Sequence, residues 1–188
     1  MSTRDDLIEA TRELLWEQGY GATSPRAILD ASGAGQGSMY HHFRGKEALA
    51  EAAIERNRDE MRAQVSGDLA SGATAMEKIR AYLGRERDVL KGCRFGRLVQ
   101  DPDVIGSSLL RGEVEEMFAW VRAQLAEVFA TGIARGEFQP DLDAVKTATA
   151  VAATLQGGYV LARAAQDVAV FDEAINGVLA LLSAAGRQ

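Results

Sequence analysis

The 188-residue chain reads as an all-α protein of about nine helices. Three observations lead there. The sequence holds only three prolines and is rich in alanine, the strongest helix former. Apolar residues recur at helical spacing, as in Leu7, Ala10, Thr11, Leu14 and Leu15. No long run of β-branched or aromatic residues alternates with period two, so strands have little support. A hydrophobic fraction of 47% is enough for a packed core.

The elements follow in order. A first helix is expected over residues 3–18, capped by Ser2 or Thr3, with Asp5 and Asp6 in the first turn and Gly19 as its stop. Ser24-Pro25 opens a short second helix, because serine caps well and proline is tolerated at the first helical position. Ala27, Ile28 and Ala31 give it a core face, and Gly33-Ala34-Gly35 makes a tight turn. A third helix follows over about residues 35–43, and after Gly45 a long fourth over 46–65. Residues 66–73, SGDLASGA, read as a flexible turn. Further helices are expected over 74–90, 93–100, 107–135, 142–165 and 172–185. The breaks between them fall at Gly92, Asp101-Pro102-Asp103, 136–141 and 166–170.

Two short helices joined by a glycine turn, behind a supporting helix, form the pattern of a helix-turn-helix, whose second helix enters the major groove of DNA. A helical wheel over residues 36–44 places Met39 and Phe43 together as the core face. Gly37, Tyr40, His41 and Arg44 fall roughly opposite, with His42 on the flank nearer the core. Lys46 sits in the first turn of the long helix, where the helix dipole disfavours a cation unless an anion binds there too. The net charge of −6 argues against a nucleic-acid binder, but residues 20–46 carry +2, leaving −8 on the rest.

Both histidines of the chain, His41 and His42, lie in this segment. Adjacent helical residues point about 100° apart, so the two rings are expected not to act as partners or to share a metal ion. Metal pairs on helices are usually spaced i,i+4, and those positions hold Gly45 and Lys46. No neighbouring carboxylate orients either ring as a base. On spacing alone, an ordinary surface turn between helices is the plainer alternative.

The stretch ATSPRAILDASGAGQGSMYHHFRGKEAL resembles the N-terminal signature of the TetR family of transcriptional repressors, over about residues 5–54. The resemblance implies a DNA-binding domain over residues 1–46 and a larger helical ligand-binding and dimerisation domain over 47–188. It implies a homodimer on double-stranded DNA carrying an inverted-repeat operator, released when a small molecule binds the C-terminal domain. The family's DNA-facing positions fall on Arg26, Gln36, Gly37, Ser38, Tyr40, His41, His42 and Lys46. Tyr40 and Lys46 match its phosphate anchors. Gln36 and Arg26, with His41, match the base readers. Gly35 and Gly45 stand where many members have a capping serine, which softens both helix starts. GCRFGRLVQD and the later GGYVLARA further resemble the LmrA/YxaF-like subgroup.

Ligand pockets are mostly apolar with a few polar groups. Phe95, Leu98, Val99, Met117, Trp120, Val121, Leu155, Gln156 and Tyr159 suit an aromatic or hydrophobic effector, although the same residues serve equally as core. Residues 142–165 and 171–182 are small-residue and apolar helices suited to a four-helix dimer interface, or to core. The lone Cys93 argues for a reducing compartment. With no signal-peptide pattern and no membrane-length apolar run, the reading is a soluble cytoplasmic protein that is not an enzyme and needs no cofactor or metal. A small helical carrier or enzyme without DNA binding is the rival, and an architectural binder without a ligand a third possibility.

Overall fold

The computed structural model describes residues 2–186. Ten helices and no strand occur among them; Phe138 and Gly186 form an isolated bridge. The helices are α1 (Thr3–Gln18), α2 (Pro25–Ser32), α3 (Gln36–His42), α4 (Lys46–Ala70), α5 (Ala75–Gly84), α6 (Arg94–Leu98), α7 (Pro102–Gly106), α8 (Ser108–Ala134), α9 (Ala144–Ala165) and α10 (Ala169–Ala184). They fall into two compact units. One holds the residues up to Glu60 together with Cys93–Met117; the other holds Met61–Gly92 and the residues from Phe118 on. The boundary expected after residue 46 falls in the first turn of α4, whereas the geometric division carries the first unit on to Glu60.

Local signals set the early elements. Ser2 caps α1 reciprocally with Asp5, and Gly19 closes the helix at φ 85°. The Ser24 hydroxyl accepts from the Ala27 amide, Pro25 occupies the first turn, and Gly33 ends α2 in the left-handed region at φ 68°. In the first unit Leu7, Ile8, Leu15, Ile28, Met39, Leu49, Ile54, Phe95 and Leu110 are buried.

Three boundaries differ from expectation. The turn expected over 66–73 is mostly helix, since α4 continues to Ala70. Val65 and Leu69, four residues apart, are both buried, and Asp68 is ion-paired with Arg85 at 2.9 Å, so tertiary contacts override Ser66 and Gly67. The helix expected over 74–90 stops at Gly84. Arg87 turns back there and donates to the carbonyls of Tyr82, Leu83 and Arg85, satisfying acceptors that a continuing helix would have used. The break expected at 101–103 instead starts α7, with Asp101 as cap and Pro102 in its first turn.

In the second unit α9 and α10 pack side by side. Gly158 allows this, because a β-carbon there would lie 3.0 Å from the Phe171 ring. Tyr159 stacks on the same ring at a centroid distance of 5.0 Å. Phe129 and Phe138 pack at 5.5 Å. Gly132 lies against Phe138: a β-carbon there would come within 2.7 Å of Ala75 and 2.8 Å of Phe138. Gly112, on the same helix, has open space around it.

These two glycines predict opposite outcomes. Gly132→Ala should cost about 1–3 kcal/mol through overpacking. Gly112→Ala should stabilise the protein by about 0.5–1 kcal/mol, because glycine is a poor helix residue. Urea unfolding midpoints of the two variants check both signs.

Candidate nucleic-acid interface

The candidate interface is built on α3. Met39 is fully buried and Phe43 nearly so, as the wheel requires, and these two apolar pegs seat the helix. Tyr40 is 55% exposed. Gln36, Gly37, His41, His42 and Arg44 are exposed as well, and Ser38 is partly exposed. Nothing lies within 4 Å of the place a Gly37 β-carbon would occupy, so the backbone there is bare. Gly35 takes the N-cap position with no side-chain cap, leaving amide donors at the start of α3. Gly45 has φ 144°, a conformation that L side chains rarely adopt, so glycine is required just before α4.

The histidine pair departs from the wheel. His42 is exposed, not turned toward the core, and its ring meets that of His41 edge-on at 5.1 Å. The two rings are therefore packing partners. The helix ends at His42, and Phe43 is already extended at φ −136°, so helical spacing no longer governs this end. No group of three or more metal-ligating side chains occurs among the described residues.

Arg26, on α2, is exposed and donates to both carboxylate oxygens of Asp30 at 3.1 Å, one turn on. Lys46 is partly buried, with its ammonium over the Tyr20 ring at 4.0 Å. Burial pulls its pKa down, and the nearby charges of Asp103 and Asp101 partly offset this.

A polar seam joins α1 and α4. Arg12 and Asn57 are both buried, and the Arg12 Nε donates to the Asn57 side-chain oxygen at 2.8 Å. The two terminal nitrogens of Arg12 reach Glu9 and Glu60. Arg56 pairs with Asp5 at 2.8 Å and Glu9 at 2.9 Å. The Arg56 guanidinium, with help from the Ser2 hydroxyl and backbone, holds the Asp5 pKa down at about 2.

Residues 7–53 match the profile described as bacterial regulatory proteins, tetR family, and residues 69–178 match the tetracyclin repressor-like C-terminal domain. The chain belongs to the TetR family. Members are DNA-binding transcriptional regulators, not enzymes, so the carrier or enzyme alternative falls. Among relatives, the transcriptional repressor KstR2 of Mycolicibacterium smegmatis is 28% identical over 145 residues, 76% of this chain and 70% of that protein. The regulator LmrA of Bacillus subtilis is 25% identical over 172 residues, 88% of each chain. A TetR transcriptional regulator from Chloroflexus aurantiacus superimposes with a TM-score of 0.87 at 27% identity, covering 98% of this chain and 96% of that one. A TetR-family regulator from Cytophaga hutchinsonii gives 0.89 at 24% identity, covering 99% and 96%. No helix among the described residues is long and apolar enough to cross a membrane.

The residues considered for an effector divide between the units. Phe95 and Met117 are buried in the first unit, where Val99 is 43% exposed. Trp120, Val121, Gln156 and Tyr159 lie in the second. There Val121 is buried, and Trp120 lies beneath the Arg62 guanidinium, 5.4 Å from its ring centroid. Several long-range contacts of the first unit have no local signal in the sequence. Arg94 stacks on Trp16 at 3.9 Å and bonds to Glu13. Asp101 accepts the Gly21 amide at 2.8 Å, and Ser107 donates to Glu47 at 2.7 Å. A charged residue flanking a helix break was the one signal available for Asp101.

Because the Asp5 pKa is depressed in the fold, its stabilising contribution is complete above the unfolded value of 3.8 and is lost as pH falls through about 2. Asp5→Asn should therefore flatten the acid limb of a stability–pH profile between about pH 4 and 2. Urea titrations across that range would show an unchanged limb if the Asp5–Arg56 pair did not persist in solution.

Proposed function

We propose that this TetR regulator is a cytoplasmic, ligand-responsive repressor that binds an inverted-repeat operator as a homodimer. The reading assigns DNA binding to residues 1–46, and effector binding and dimerisation to 47–188. The observation that carries it is the outward face of α3, where bare backbone at Gly37 and exposed Gln36, Tyr40, His41 and His42 ride on the buried Met39 and Phe43. Gln36, Arg26 and His41 read base edges, while Tyr40, Lys46, Ser38 and His42 meet backbone phosphates. To engage DNA fully, Arg26 exchanges Asp30 for the nucleic acid. Exposed surface pairs of this kind are worth at most about 1 kcal/mol, so the exchange is inexpensive.

Dimerisation is assigned to α9 and α10, which expose Val145 (67%), Val160 (54%), Leu161 (56%) and Leu181 (73%). Two helices from each protomer would form a four-helix interface covering these side chains. The effector is assigned to the second unit, with Trp120 and Tyr159 as aromatic surfaces, Val121 as apolar wall and Gln156 as hydrogen-bonding group. Phe95, Val99 and Met117, the other candidates offered by the apolar pattern, lie in the first unit. An effector that prefers the conformation less suited to DNA weakens operator binding by linkage.

A gel shift on inverted repeats from the flanking genome tests the reading, with specific and salt-sensitive retardation expected. No retardation even at low salt would sink it. Lys46→Ala should weaken binding across all duplex sequences and lower the log–log salt slope by about 1, the signature of one lost phosphate contact. Tyr40→Phe should also weaken binding, and both variants should remain dimeric. Separately, Leu181→Glu should shift the protein to a monomer in analytical ultracentrifugation and weaken operator binding by at least about tenfold, because the two half-sites no longer act together. A persistent dimer would move the interface elsewhere.

A further inference from the structure

Residues 101–107 lie against the turn between α1 and α2 and against the first turn of α4, all within the first unit. Asp101 is committed by both oxygens. One accepts the Gly21 amide at 2.8 Å, and the other accepts the Asp103 amide at 3.0 Å. The fit is close. A β-carbon on Gly19 would lie 2.8 Å from an Asp101 oxygen, and one on Gly21 would lie 2.9 Å from an Asp103 oxygen. Two carboxylates are thus packed on the backbone turn that carries Tyr20, and Tyr20 carries the Lys46 ammonium on its ring at 4.0 Å. Glu47, also near Tyr20, is engaged by the Ser107 hydroxyl. Neither oxygen of Asp103 receives a hydrogen bond among the described residues, so its charge is not tied down by a local donor.

We infer that Asp103 is an affinity-setting residue for DNA binding, because its carboxylate competes with a backbone phosphate for the Lys46 ammonium. Asp101 fixes the position of Asp103 and adds a second negative charge. The pair thereby holds operator affinity below what α3 and Lys46 alone would reach. Three features support this competition, which acts through the field of the carboxylates and not through a contact ion pair. The ammonium rests on an aromatic face and has the remainder of its shell to share among anions. The Asp103 and Asp101 charges both act to keep it protonated. The acidic segment is joined through Ser107 to α8, so a shift of α8 would change how closely the carboxylates approach Lys46.

The inference rests on the reading of Lys46 as a phosphate contact, and a double-mutant cycle separates the two. The probe is a fluorescent mixed-sequence duplex of about 30 base pairs at low salt, since phosphate contacts do not depend on sequence. In the full chain, Asp103→Asn keeps the side-chain shape and removes the charge. It should tighten binding about threefold, with the gain shrinking as salt rises. Asp59→Asn removes an equal charge from an exposed position on α4 and should give no comparable gain. In a Lys46→Ala background, Asp103→Asn should gain nothing. An unchanged affinity for Asp103→Asn, with Lys46→Ala weakened as expected, overturns this inference alone. An equal gain with and without Lys46 also overturns it, because Asp103 would then be repelling phosphate directly. If Lys46→Ala binds the duplex as well as wild type does, the phosphate reading falls and this inference falls with it. Thermal unfolding of each variant shows that the comparison is between folded proteins.

Discussion

The Arg12 guanidinium is buried on α1 and spans the gap to α4, with Asn57, Glu9 and Glu60 as its partners. A buried cation costs several kcal/mol unless its donors are met. Here each nitrogen of the fork has an acceptor, and those acceptors constrain where α4 can lie. Such a bond set is a poor source of net stability and a good source of register, because sliding one helix past the other would orphan the charge. A helix of only seven residues such as α3 cannot hold itself and relies on its neighbours, α1 among them. Met39 and Phe43, both buried, seat it.

Much of the first unit was legible from its sequence because its signals are local. Ser2, Ser24-Pro25, Gly19 and Gly33 mark helix ends within one turn of where they act, and the pair Met39 and Phe43 follows from helical spacing. The family signature covered the same stretch. What was not legible is long-range. The Asp101 contact to Gly21 and the Arg94 stack on Trp16 each join residues about eighty positions apart, and nothing in either local sequence announces the other. The end of α4 shows the same limit from the other side. Ser66 and Gly67 favour a turn, but burial of Val65 and Leu69 decides for helix. The histidines fell outside the wheel because a wheel assumes a helix that continues, and α3 does not.

The second unit was read less well, and the reason is compositional. Alanine, glycine and threonine dominate α9, so its sequence gives weak directional information about which face is core. Gly158 shows what the small residues accomplish, since α9 approaches α10 closely enough for the Phe171 ring to lie over its backbone. Tyr159, a natural choice for a ligand contact, is stacked on that same ring. Aromatic residues at helical spacing do not distinguish pocket from core until their neighbours are known.

The bracketing of α3 by glycine has a consequence for how such proteins diverge. Gly33 and Gly45 adopt positive φ, Gly35 offers no side-chain cap, and inside this frame only Met39 and Phe43 are buried. The segment behaves as an interchangeable cartridge. Its outward residues can be replaced in any combination while Met39 and Phe43 keep the seat. A lineage could therefore acquire a new recognition surface through a handful of substitutions here, with the rest of the chain untouched.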